Sequence, residues 1–168
     1  LRFKIESQTL RLLQRDLQRL NNISGDRIRN ELCLMLGEDV PERSIHRAHE
    51  LGVLRQINPA LEPGEWLARS YKMARKYHRR DDRTDLYLCL LIYALELDEL
   101  KALQQRLRFP KRELELLTKT LELKPRLKRL STQKLKPFQI YSLLRNYPSV
   151  AAEASALAVP SARVRARI

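Results

Sequence analysis

The apolar residues of this chain keep a helical period. Leu10, Leu13, Leu17 and Leu20 recur at three- and four-residue steps, which lays one stripe along a helix expected over residues 6–20. Asn21-Asn22 ends that stripe, and later segments are divided by prolines and single glycines. A sheet protein of 168 residues needs more turn glycine than the 4 present here and more Val, Ile and Thr. Leu, Arg, Lys, Glu and Ala dominate instead, and all favour helix. The expected class is all-α, a multi-helix array of short to medium helices without a sheet.

Capping signals divide the rest. A second helix is expected from Ser24, an N-cap type with Asp26 in the first turn, to Gly37. A third opens with Pro41 and stops at Gly52, and a short apolar piece covers residues 53–57. Pro63-Gly64 is the clearest boundary, dividing residues 1–62 from 63–168. Helices are expected over residues 65–77, from a cap at Asp81, Asp82 and Thr84 to Leu95, from a cap at Asp98 to Phe109, and from Pro110 to about Leu123. A basic stretch, residues 124–136, follows. Pro137 then opens an amphipathic helix carrying Phe138, Tyr141 and Leu144, and Pro148 and Pro160 begin the last two pieces.

The charge is divided unevenly. Residues 1–66 hold 10 Lys and Arg against 10 Asp and Glu, whereas residues 67–168 hold 23 against 10, so the whole net charge of +13 lies in the second part. A concentrated positive field attracts a polyanion and speeds encounter with it. One cluster contains Arg69, Lys72, Arg75, Lys76, His78, Arg79, Arg80 and Arg83; the other contains Lys124, Arg126, Lys128, Arg129, Lys134 and Lys136. These clusters are candidate phosphate contacts. Trp66, Tyr71 and Tyr77 interleave with the first cluster, either as stacking groups or as core aromatics behind a solvated basic face.

No catalytic set is legible. There is no Ser/His/Asp pattern, Gly-rich phosphate loop or Cys-x-x-Cys pair. Asp81, Asp82 and Asp85 read as helix-start residues rather than a two-metal carboxylate site. His46 and His49 have a spacing compatible with metal ligation but lack further ligands, and His78 is not followed directly by Asp. No catalytic residue, metal ligand or cofactor is therefore expected in this chain. Cys33 and Cys89 lie in apolar helical patterns, as buried thiols of a reducing, cytoplasmic compartment would. The longest apolar run, residues 86–95, is shorter than the ~20 residues that span a bilayer, so no membrane partner is expected. The chain begins at Leu1 within a pattern that already looks structured and ends in a basic stretch, as expected of a portion of a longer protein.

One segment is more specific. In Ile23-Ser24-Gly25-Asp26-Arg27-Ile28-Arg29-Asn30-Glu31-Leu32, Arg27 and Glu31 are four apart and can pair along one helix face. The segment is similar to the Ser-x-Glu-Arg-Ile-x-x-Glu motif of class II tRNA nucleotidyltransferases, which include CCA-adding enzymes, and of bacterial poly(A) polymerases. Asp26 departs conservatively from it. Leu1-Arg2-Phe3-Lys4-Ile5-Glu6 resembles the segment just after that family's nucleotide-selecting motif. His49-Glu50-Leu51-Gly52-Val53-Leu54 with Ile57-Asn58-Pro59 resembles the helix-turn that comes next, and Lys136-Pro137-Phe138-Gln139-Ile140-Tyr141-Ser142-Leu143-Leu144 resembles a recurrent tail helix.

The resemblance implies the end of the neck, the body and the tail of such an enzyme. In that family a separate catalytic head holds the metal-binding carboxylates and uses magnesium with ATP or CTP. The implied partners are tRNA or another RNA, and a catalytic head in the same longer protein. Arg27 and Glu31 would support the nucleotide-selecting helix. The competing reading is a non-enzymatic helical module that binds nucleic acid or regulates a partner.

Overall fold

The computed structural model describes residues 5–77, 83–132 and 136–159, with 128–132 and 137 described as backbone only. Among these residues there are ten α-helices and no strand. The fold is best understood from α6 (Thr84–Ile92), where every residue from Leu86 to Ile92 is buried. A helix that is apolar all round cannot lie at a surface. Four others enclose it: α2 (Gly25–Leu36), α5 (Glu65–Tyr77), α8 (Lys111–Thr132) and α10 (Ser149–Ala158). α10 can approach closely because it offers Ala151 and Ala154, both fully buried, to the contact. Behind α6, the Tyr71 hydroxyl donates to the Tyr87 carbonyl at 3.0 Å, which ties α5 to α6.

α1 (Ser7–Asp16) stands at the edge and buries none of its residues. α3 (Pro41–Glu50) packs beside α2, and α4 (Val53–Ile57) packs on α3 and on the turn after α1, with Gly52 supplying the left-handed turn (φ 78°) between α3 and α4. α7 (Leu97–Leu107) joins α6 to α8, and α9 (Pro137–Leu144) lies between α8 and α10. A continuous buried cluster runs from Ile28 in α2 to Ala154 in α10, across Pro63-Gly64. A smaller one holds Leu123 and Leu127 of α8 against Ile140, Leu143, Leu144 and Tyr147.

Five local expectations change. α6 has Arg83 as its N-cap and ends at Ile92 rather than at Leu95. The first helix turns 3₁₀ over Leu17–Asn22, because groups distant in sequence take hold of that turn: the Arg106 guanidinium donates to the carbonyls of Leu20 (2.6 Å) and Ile23 (3.1 Å). Ser24 is the N-cap of α2, but its side chain makes no capping bond. α7 is capped at Glu96 rather than Asp98, with the Glu99 carboxylate accepting the Glu96 amide at 2.8 Å. α8 runs on to Thr132 through Pro125, so most of the second basic stretch is helical. Proline removes one helical hydrogen bond; buried Leu123 and Leu127 on either side hold the helix in place across it. The piece expected after Pro160 lies outside the described residues, as do His78, Asp81 and Asp82.

Candidate nucleic-acid interface

α5 divides its residues by face. Leu67, Ser70, Tyr71 and Ala74 turn inward, whereas Arg69, Lys72 and Lys76 are exposed at three- and four-residue steps along one outer face. Arg75 does not share that freedom. Its two terminal nitrogens donate to the two Glu42 carboxylate oxygens at 2.6 Å each, which ties α5 to α3. Burial works to raise the Glu42 carboxyl, but the Arg75 hydrogen bonds and charge prevail and leave it below its ordinary value.

The aromatics beside this cluster are mostly core. Tyr71 is fully buried, and burial holds its hydroxyl well above the ordinary tyrosine range. Trp66 packs edge-on against Tyr93 with ring centroids 6.1 Å apart. Tyr77 alone of the three is open, 63% exposed, with the Lys76 ammonium 5.6 Å from its ring centre.

The second cluster grows from the last turns of α8. Lys124 donates to the Leu95 carbonyl at 3.2 Å and to Glu96 at 3.1 Å, so it fastens α8 to the loop after α6. Arg126 is exposed and lies 5.5 Å from the centre of the Tyr147 ring; Lys119 lies 5.9 Å from the same ring. Lys136 is exposed at the start of α9. Of the other candidates, Arg79, Arg80 and Lys134 lie outside the described residues, and Lys128 and Arg129 are described only as backbone of α8.

The helices that carry the two clusters share packing partners. Tyr93 is shared: Trp66 of α5 packs on it, and Lys124 of α8 lies 5.9 Å from its ring centre. The C-terminal end of α10 is shared as well. Its Leu157 carbonyl accepts the Ser70 hydroxyl of α5 at 3.0 Å, while Val159 packs on Leu123 and Leu127 of α8. α5 and α8 therefore both pack on this helix end, and Arg69 lines a small cavity beside its Leu157 and Val159.

Arg27 and Glu31 are both exposed, and no ion pair joins them among the described residues. They border an apolar groove of about 340 Å³ lined by Leu20, Ile23, Leu32, Met35 and Leu54. The residue that fixes α2 is Arg29. It pairs with Asp26 at 2.9 Å and donates to the carbonyls of Leu107, at 3.1 Å, and Arg108. Arg106 crosses in the opposite direction to the 3₁₀ turn, so two guanidiniums lock α2 and α7 end to end. Spacing along α2 could not reveal this, because the acceptors are backbone carbonyls nearly eighty positions away.

The His46 Nε2 lies 3.3 Å from a Glu50 carboxylate oxygen one turn further along the same helix. Among the described residues, no group of three or more His, Cys, Asp or Glu is arranged to hold a metal ion. No helix among them is long and apolar enough to cross a membrane.

Fold and surface together define an all-helical array with outward basic faces. Residues 2–64 match the sequence family described as "Probable RNA and SrmB- binding site of polymerase A". Solved structures of CCA-adding enzyme share the fold over 98% of this chain. The complex with ATP has a TM-score of 0.72 at 20% identity. Apo form I has 0.71 at 20%, and the complex with CTP has 0.71 at 18%. The chain spans 41% of the length of each of those chains. No curated protein matches it in sequence. Residues 2–64 are thus similar to that family segment, and the fold of nearly the whole chain is like one found within CCA-adding enzymes.

Proposed function

We propose that this chain is the RNA-holding helical portion of a tRNA 3′-end nucleotidyltransferase or poly(A) polymerase. It positions RNA, while a catalytic head elsewhere in the longer protein adds nucleotides and uses magnesium with ATP or CTP. The observation that carries this reading is the exposed face of Arg69, Lys72 and Lys76 on a helix that, like α8, packs on α10. Phosphate contacts of this kind supply sequence-independent affinity. The family match over residues 2–64 supports RNA rather than another polyanion. Arg27 and Glu31, on the rim of the apolar groove, would support the nucleotide-selecting helix of such an enzyme.

Filter binding of tRNA against salt tests the proposal. The logarithm of affinity is expected to fall linearly with the logarithm of salt concentration, by ~0.7–0.9 per phosphate contact. A flat response would remove the reading. Competition by duplex DNA separates it from a general nucleic-acid module: tRNA is expected to win, and preference for duplex DNA favours the module.

A further inference from the structure

α9 exposes the wrong side for an ordinary amphipathic helix. Phe138, Tyr141 and Leu144 make one helical stripe, but the helix packs Ile140, Leu143 and Leu144 against Leu123 and Leu127. Phe138 is left 76% exposed and Tyr141 64% exposed. They are three positions apart, so the two rings lie on one face of the helix. Exposing two large rings side by side costs hydrophobic free energy, and the fold gains nothing visible from it.

The charge around them says what they meet. Between Glu122 and Glu153 the chain has no acidic residue and seven Lys and Arg. Lys136 is exposed at the start of α9, Arg145 at its end and Arg126 on α8. A surface that is both cationic and aromatic suits a polyanion that carries flat apolar faces. Nucleic acid bases and phosphates combine these two properties. A lipid surface fits less well, because the apolar residues other than these rings are turned into the protein and leave no broad apolar face to insert. Duplex bases are already stacked on one another, so the rings can reach only bases that have left the stack.

We infer that Phe138 and Tyr141 form a stacking platform for unstacked bases of an RNA loop or single strand, with Lys136, Arg126 and Arg145 on the adjoining phosphates. This rests on the proposed RNA-holding role and adds to it a preference for RNA structure.

The test compares the whole chain with Phe138→Ala/Tyr141→Ala on two probes, an RNA hairpin with a single-stranded loop and the blunt duplex of its stem. The variant is expected to lose about tenfold or more in hairpin affinity and to change duplex affinity by less than about twofold. Because both side chains are exposed, circular dichroism and melting are expected to stay unchanged. Phe138→Trp/Tyr141→Phe should keep hairpin affinity and Phe138→Leu/Tyr141→Leu should lose it. Retention by the leucine pair would overturn stacking. In the wild type, ultraviolet crosslinks from the loop to α9 support the inference independently of any variant. Equal hairpin affinity for wild type and the alanine pair overturns the platform alone; no RNA binding by the wild type overturns the RNA-holding reading as well. Anionic phosphatidylserine vesicles bound through these rings, with hairpin affinity unaffected by their loss, would assign the surface to membrane instead.

Discussion

At the residue scale, small groups carry large constraints. Gly25 opens α2 against the end of α7, and a Cβ there would lie 2.0 Å from the Arg106 carbonyl oxygen. Gly25→Ala is therefore expected to cost about 2–3 kcal/mol despite alanine's better helix propensity, because backbone must move to admit the methyl group. A urea unfolding midpoint checks this, and an unchanged midpoint would mean the two helices do not meet as described. The Glu42–Arg75 pair gives a pH signature. Glu42 has a folded value below its ordinary 4.5, so its stabilising contribution is complete above that value and is lost as pH falls through the lower folded one. Glu42→Gln should cost about 1–3 kcal/mol at neutral pH, with the gap from wild type closing in acid. Thermal melts from neutral pH to below 4 would read it; a gap independent of pH would contradict the ion pair. The cysteines should differ as well. Burial, partly offset by the hydrogen bond from Thr120, pushes the Cys89 thiol up to about 12, whereas Cys33 is only half-buried. Native-state alkylation should reach Cys33 first.

At the scale of elements, the sequence was most legible where a helix is capped locally and buries one stripe. α5 has the bounds its residues announce, 65–77, and Gly37 and Gly52 end their helices as expected. Legibility failed where distant groups intervene. The 3₁₀ turn after α1 answers to Arg106, the position of α2 answers to Arg29, and α8 passes Pro125 because the leucines beside it are buried. α9 misleads for a related reason. Its Phe138, Tyr141 and Leu144 make an acceptable helical stripe, but Ile140, Leu143 and Leu144 make another. Only the hydrophobic patch on α8 decides between them. The candidate basic residues divide on the same principle: Arg69, Lys72 and Lys76 are solvent-facing, whereas Arg75 and Lys124 are engaged in holding elements together.

At the scale of the molecule, the division of charge in sequence becomes a division of surface. The neutral first part contributes helices to the same continuous core as the basic second part, so the boundary at Pro63-Gly64 separates charge more sharply than it separates packing. The most direct test of the central claim asks which arginines and lysines the RNA feels. Arg69, Lys72 and Lys76 would be changed together to Gln. A matched control would change Lys101, Lys111 and Arg112, which are also exposed but lie outside both basic clusters and outside the family-matched segment. Each set removes the same formal charge. In tRNA binding measured against salt, the α5 set is expected to lower the slope by about 2, and the control set to leave it nearly unchanged. Equal losses from both sets would mean that RNA responds to net charge alone and would contradict an RNA-holding face on α5.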